Sequence, residues 1–118
     1  MEIISGGPEL LDRIAPLWEE LNKHHMEKSI HFSEDFLMWQ FESRKNDLIS
    51  KAKHLRADIV IDLRENIDIG YSISTINESN MGEIDSLFIK EPYRRHGLGK
   101  KLTEMALAWL DDHNVARK

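Results

Sequence analysis

An α/β domain with elements in the order β-α-α-β-β-β-α is what these 118 residues imply, on three observations. Apolar residues recur at helical spacing in two stretches near the start, and the pattern switches to alternation between about Ala57 and Ile89. Helical spacing then returns behind a glycine pair set among four Lys and Arg residues, YRRHGLGKK, Tyr93 to Lys101. The length suffices for one buried core, so one domain over residues 1–118 is expected.

The opening MEIIS reads as a short strand. Pro8 suits the first turn of a helix, and Leu10, Ile14, Leu17, Trp18 and Leu21 then stack on one face, which predicts a helix from about 8 to 27. Ser33 with Glu34 and Asp35 forms an N-cap and acidic first turn, and Met38, Phe41, Leu48 and Ala52 carry a second helix to about Lys53. Ala57, Ile59, Ile61 and Leu63 alternate, as do Ile67, Ile69, Tyr71, Ile73 and Thr75 beyond the RENID turn, so a hairpin is expected. A polar turn at Asn77 to Gly82 leads to a strand from Glu83 to Ile89. Leu98, Leu102, Met105, Ala106 and Trp109 then place one face of a last helix against the sheet. Trp18, Trp39 and Trp109 fall within these apolar patterns and read as core anchors.

Composition excludes several classes. Sixteen Lys and Arg against 21 Asp and Glu give a net charge of −5, which argues against a nucleic-acid surface despite the local basic cluster. No apolar run reaches the roughly 20 residues that a membrane helix needs. The absence of cysteine rules out disulfides, a thiolate nucleophile and a cysteine zinc site. MEIISGG lacks the charged and apolar regions of a signal peptide, so the cytoplasm is the expected location. His24, His25 and His31 lie near Glu27 without the spacing of a metal-binding helix, and no metal is expected.

Glycines, N–H groups and positive charge at a helix entrance suit a phosphate. A Walker loop would need glycine where Arg94 stands and Ser or Thr where Lys101 stands, and a dinucleotide fingerprint would need glycine at Leu102. What remains is Arg94-Arg95-His96-Gly97-Leu98-Gly99, an RxxGxG that follows a strand and opens a helix.

That motif, within GEIDSLFIKEPYRRHGLGKKLTEMALAWL from Gly82 to Leu110, resembles the GCN5-related N-acetyltransferase (GNAT) family at its fourth strand, pyrophosphate loop and third helix. Over residues 1–81 the resemblance is one of element order. It implies a mixed, largely antiparallel sheet flanked by helices, with acetyl-CoA as acyl donor and a primary amine of a small molecule or protein as acceptor. The backbone of Leu87, Phe88 and Ile89 would then pair with the pantetheine amides. Arg94, Arg95, His96, Gly97, Leu98, Gly99 and Lys100 would form the pyrophosphate cradle, the two glycines letting the backbone approach a diphosphate.

Acetyl transfer to an amine needs a proton acceptor. Glu83, four residues before Leu87, stands where some family members carry a catalytic glutamate. Alternation puts it on one face with Asp85, Leu87 and Ile89, where it is either a base whose pKa an apolar setting raises toward neutrality or an exposed glutamate at the start of a strand. Asp85 is a lesser candidate, for a cationic substrate. The family continues beyond its third helix with further strands, one carrying a tyrosine that protonates the leaving thiolate, and neither Tyr71 nor Tyr93 matches that position. The C-terminal strands are therefore expected to be missing. Without them the last strand is an open edge, so either truncation or a homodimer is expected. A non-catalytic acyl-CoA-binding or protein-interaction module is the alternative reading.

Overall fold

The computed structural model describes residues 1–26 and 34–116, the side chains of 23–26 and 34–39 excepted. The expected cap at Ser33, the His24, His25, His31 and Glu27 group and the Trp39 side chain lie outside the described residues. The order is β1 (Glu2–Gly6), a single 3-10 turn (Pro8–Leu10), α1 (Leu11–Met26), α2 (Glu34–Lys51), β2 (Ala52–Asp62), β3 (Ile67–Asn77), β4 (Gly82–Ile89), a second 3-10 turn (Glu91–Tyr93) and α3 (Leu98–Asp112). This is the predicted β-α-α-β-β-β-α. One boundary differs in kind: β2 starts five residues before the alternation does, directly on the last residue of α2. Its first residues, Lys53 and His54, are exposed and carry no apolar pattern.

The four strands pair in the order β1-β2-β3-β4, antiparallel throughout. Helices α1 and α2 cover one face, where Leu11, Ile14, Leu17, Phe41 and Leu48 pack on Ala57, Ile59, Tyr71, Ile73 and Phe88. Full burial of each large side chain contributes about 1.5–3 kcal/mol. Trp18 meets Phe41 edge-on at 5.4 Å on the rim of this core. On the other face α3 buries Leu102, Ala106 and Leu110, the first of them against Val60, Ile69 and Ile89. Trp109 is half-buried beside His113, 4.9 Å between ring centres, and not an anchor of either cluster.

The register of β4 breaks at one residue. Ile73 stands opposite Ser86 and Ser74 opposite Ile84, so Asp85 is an unpaired bulge. It divides β4 into two segments of opposite phase, which positions everything in the site.

Candidate active site

Three parts of the chain follow one another along the site: the bulge at Asp85, the edge of β4 that no described strand covers, and the loop from Lys90 to Gly97. Lys90 N–H bonds to Ile69 C=O at 2.8 Å, which fixes the phase of the ladder. Directly opposite residues of an antiparallel pair alternate between bonded and non-bonded, so Phe88 exchanges its bonds with Tyr71, while Leu87 and Ile89 turn theirs to the open edge. Of the three residues expected to offer backbone to a ligand, Phe88 is thus already committed to β3. Its ring lies in the α1/α2 core instead.

The loop owes its shape to backbone conformation. Arg95 and Gly97 both have positive φ, 69° and 78°. A Cβ on Gly97 would meet nothing within 4 Å, and one on Gly99 would meet only Leu87 Cδ2 at 3.9 Å, so open space lies in front of both glycines. The first α-helical bond of α3 runs from Lys101 N–H to Gly97 C=O at 3.0 Å, which leaves the N–H groups of Leu98, Gly99 and Lys100 ahead of it. With the helix dipole these groups favour an anion in front of them. The residues present therefore fit a diphosphate.

The basic side chains divide. Arg94 folds back: Nε donates to Ile89 C=O at 2.7 Å and the guanidinium lies 5.6 Å from the centre of the Phe88 ring. It braces the end of β4 and does not project into the cradle as the motif implied. Arg95 and Lys100 are exposed, Lys100 within 4.0 Å of Glu104. His96 and Leu98 line a cavity of about 550 Å³ between the loop and the β2–β3 turn, together with Asp62, Arg64 and Tyr93. The Tyr93 hydroxyl donates to Asp62 at 2.6 Å and ties the loop to that turn. The bond pulls the Asp62 carboxyl below its usual range and pushes the Tyr93 phenol up.

The bulge overturns two expectations about Glu83. Leu87 and Ile89 face α3, whereas Glu83 stands opposite Thr75 on the α2 side, because the extra residue at Asp85 reverses the phase between them. Nor is its carboxyl raised. Glu83 is more than half exposed and ion-paired to Lys51, which holds its pKa below the ordinary 4.5. Asp85 is buried, one oxygen on the same Lys51 ammonium and the other accepting from Thr75 Oγ1 at 2.6 Å. Next to the bulge, Tyr71 and Ser86 share a hydrogen bond of 2.7 Å, and burial raises the Tyr71 phenol. Lys51 and Thr75 carried no signal in the sequence: they lie 34 and 10 residues from Asp85 in the chain, and only the fold unites them.

The glycine loop follows β4 and opens α3, the order of elements in which the motif stands in the sequence. The profile of the acetyltransferase (GNAT) family matches residues 18–118. The chain belongs to the GNAT acetyltransferases. Solved structures share the fold. A Staphylococcus aureus protein assigned to the GNAT acetyltransferases superposes with a TM-score of 0.70 at 17% identity, over 99% of this chain and 97% of that one. A Pyrococcus furiosus protein assigned as an acetyl transferase gives 0.73 at 15% identity, over 98% and 79%. The PaiA N-acetyltransferase of Thermoplasma acidophilum, solved in complex with coenzyme A, gives 0.63 at 16% identity, over 98% and 76%. No curated protein matches. Among the described residues, no group of three or more His, Asp or Glu is placed to hold a metal ion, and no helix is long and apolar enough to cross a membrane.

Proposed function

We propose that this GNAT protein transfers an acetyl group from acetyl-CoA to a primary amine of a small molecule or protein. The observation that carries the reading is Gly97: left-handed, with open space before it, at the entrance of α3 and just beyond the free edge of β4. The N–H groups of the loop and of the first turn of α3 hold the diphosphate, with Arg95 and Lys100 adding exposed charge. The edge groups of Leu87 and the N–H of Ile89 pair with the pantetheine amides, while Arg94 occupies the Ile89 carbonyl and keeps the strand end in place.

Bound acetyl-CoA supplies the thioester carbonyl that the amine attacks and the thiolate that leaves. Glu83, kept ionised by Lys51, attracts the cationic acceptor, which gives up one proton to water so that the neutral amine attacks; the second proton, lost as the nitrogen–carbon bond forms, passes by way of the carboxylate to water. The carbon–sulfur bond then breaks and the thiolate takes a proton from water. No covalent enzyme intermediate is needed. Because its pKa is lowered, Glu83 acts as an electrostatic anchor that passes the proton on to water and not as a base poised at neutrality.

The open edge of β4 also suits pairing with a second copy, and a homodimer formed through it belongs to this reading. The test is calorimetric titration with acetyl-CoA, followed by thiol release across a panel of neamine, lysine amide, simple diamines and a lysine-ended peptide. Binding with turnover of at least one amine is expected. Binding without turnover across the panel would overturn the catalytic reading in favour of an acyl-CoA-binding module.

A further inference from the structure

We propose that Lys51 is a positioning residue for this acetyl transfer, its ammonium clamping the Glu83 carboxylate to the bulge of β4 through the buried Asp85. The inference rests on the reading of Glu83 given above, and it assigns a role to a residue that the motif does not contain.

Lys51 is the last residue of α2 and passes directly into β2 with no loop between, so its backbone is fixed from both sides. The negative end of α2 favours a cation there. From that point the ammonium reaches two carboxylates, Glu83 and Asp85, 32 and 34 residues along the chain. Asp85 is the rigid half of the clamp. Its side chain is only 2% exposed, it occupies the bulge, and Thr75 Oγ1 holds its second oxygen. Glu83 is the free half, with a side chain 59% exposed and able to meet an acceptor. A half-exposed glutamate at the start of an edge strand would otherwise sample several rotamers, and the clamp selects one.

The groups facing Glu83 are Lys51 and Arg44 from α2, Asp85 from its own strand and Thr75 from β3. Both cations favour its ionised form, led by the bond from Lys51. Around Lys51 burial opposes the charge, but the two carboxylates outweigh it and the ammonium stays protonated. The clamp is therefore ionic across the neutral range. It opens in acid, once Glu83 gains a proton.

Replacing Lys51 alone would strand the charge of Asp85 in the interior and endanger the fold. The informative variant is the double Lys51→Met, Asp85→Asn, which removes the cation together with the buried anion, beside the single Asp85→Asn and the conservative Lys51→Arg. Two measurements are made: the titration of the Glu83 side-chain carboxyl followed by carbon NMR, and the pH profile of turnover with acetyl-CoA and the amine that the panel selects. In the double variant the Glu83 titration and the acidic limb of kcat are both expected to move to higher pH, and kcat is expected to fall on the order of 10²-fold with KM for acetyl-CoA unchanged. Asp85→Asn, which keeps the Lys51 contact to Glu83, and Lys51→Arg should hold both titrations near wild type. If the double variant leaves the Glu83 titration or the acidic limb where it was, while Glu83→Gln does slow the enzyme, the clamp is refuted and the reading of Glu83 stands. If Glu83→Gln itself turns over normally, that reading fails and takes the clamp with it.

Discussion

Gly97 holds φ at +78°, where any other L-residue carries strain, yet a Cβ there would touch nothing. Conformation and ligand access can therefore be separated at this residue. Gly97→Ala should cost about 1–2 kcal/mol, seen as a Tm lower by roughly 5 °C in a thermal melt, and should weaken acetyl-CoA binding because the methyl occupies the space of the diphosphate. A variant with the Tm loss but full affinity would show that this space is not the phosphate site. Glu83 offers a second test. Lys51 lowers its pKa below 4.5, so the pair stabilises the fold above that pH and the contribution fades as pH falls through the lowered value. With Glu83 more than half exposed, Glu83→Gln should cost at most about 1 kcal/mol at pH 7. Urea unfolding followed from pH 7 downward into acid checks this, and a loss that does not diminish as pH falls contradicts the pairing.

At the scale of the elements, the order of strands and helices was legible because apolar spacing reports which face of each element is buried. The glycine loop was legible because Gly97 and Gly99 stand in a short motif between a strand and a helix. The phase of β4 was not. Glu83, Asp85, Leu87 and Ile89 alternate perfectly in sequence, but the bulge at Asp85 inserts a residue that hydrophobic patterning does not mark, and the partners of its side chain, Lys51 and Thr75, are distant in the chain. Arg94 was misjudged for a similar reason: a motif gives a residue type, while the carbonyl of Ile89 and the ring of Phe88 decide where the side chain goes. The start of β2 was hidden because Lys53 and His54 are exposed. The tight pairing of β3 with β4 gives the element-scale prediction. A Cβ on Gly70 would come within 2.5 Å of Ile89 Cδ1 and 2.9 Å of Phe88 O, and the second of these is backbone. Gly70→Ala should force β4 away from β3 and cost about 1–3 kcal/mol, with faster amide exchange along 86–89. Unchanged stability and exchange would mean the strands do not approach so closely.

For the whole molecule, the free edge of β4 serves two proposed uses that exclude each other over Leu87 and Ile89. A pantetheine lying along these residues leaves no partner for a second copy there. If the dimer forms through this edge, light scattering should show a species near twice 13.8 kDa that shifts toward the monomer as acetyl-CoA is added. A dimer indifferent to acetyl-CoA would place the interface elsewhere. The first of these uses depends on the central claim, that the loop from Arg95 to Lys100 grips the diphosphate of coenzyme A. Calorimetric titration of acetyl-CoA into the wild-type protein and into Gly97→Glu and Gly99→Glu tests it most directly, with circular dichroism to verify that α3 remains folded. Saturable binding by the wild type and none by either folded variant is the predicted result, because bulk and negative charge both oppose the phosphates. Equal affinity in all three proteins would contradict the account.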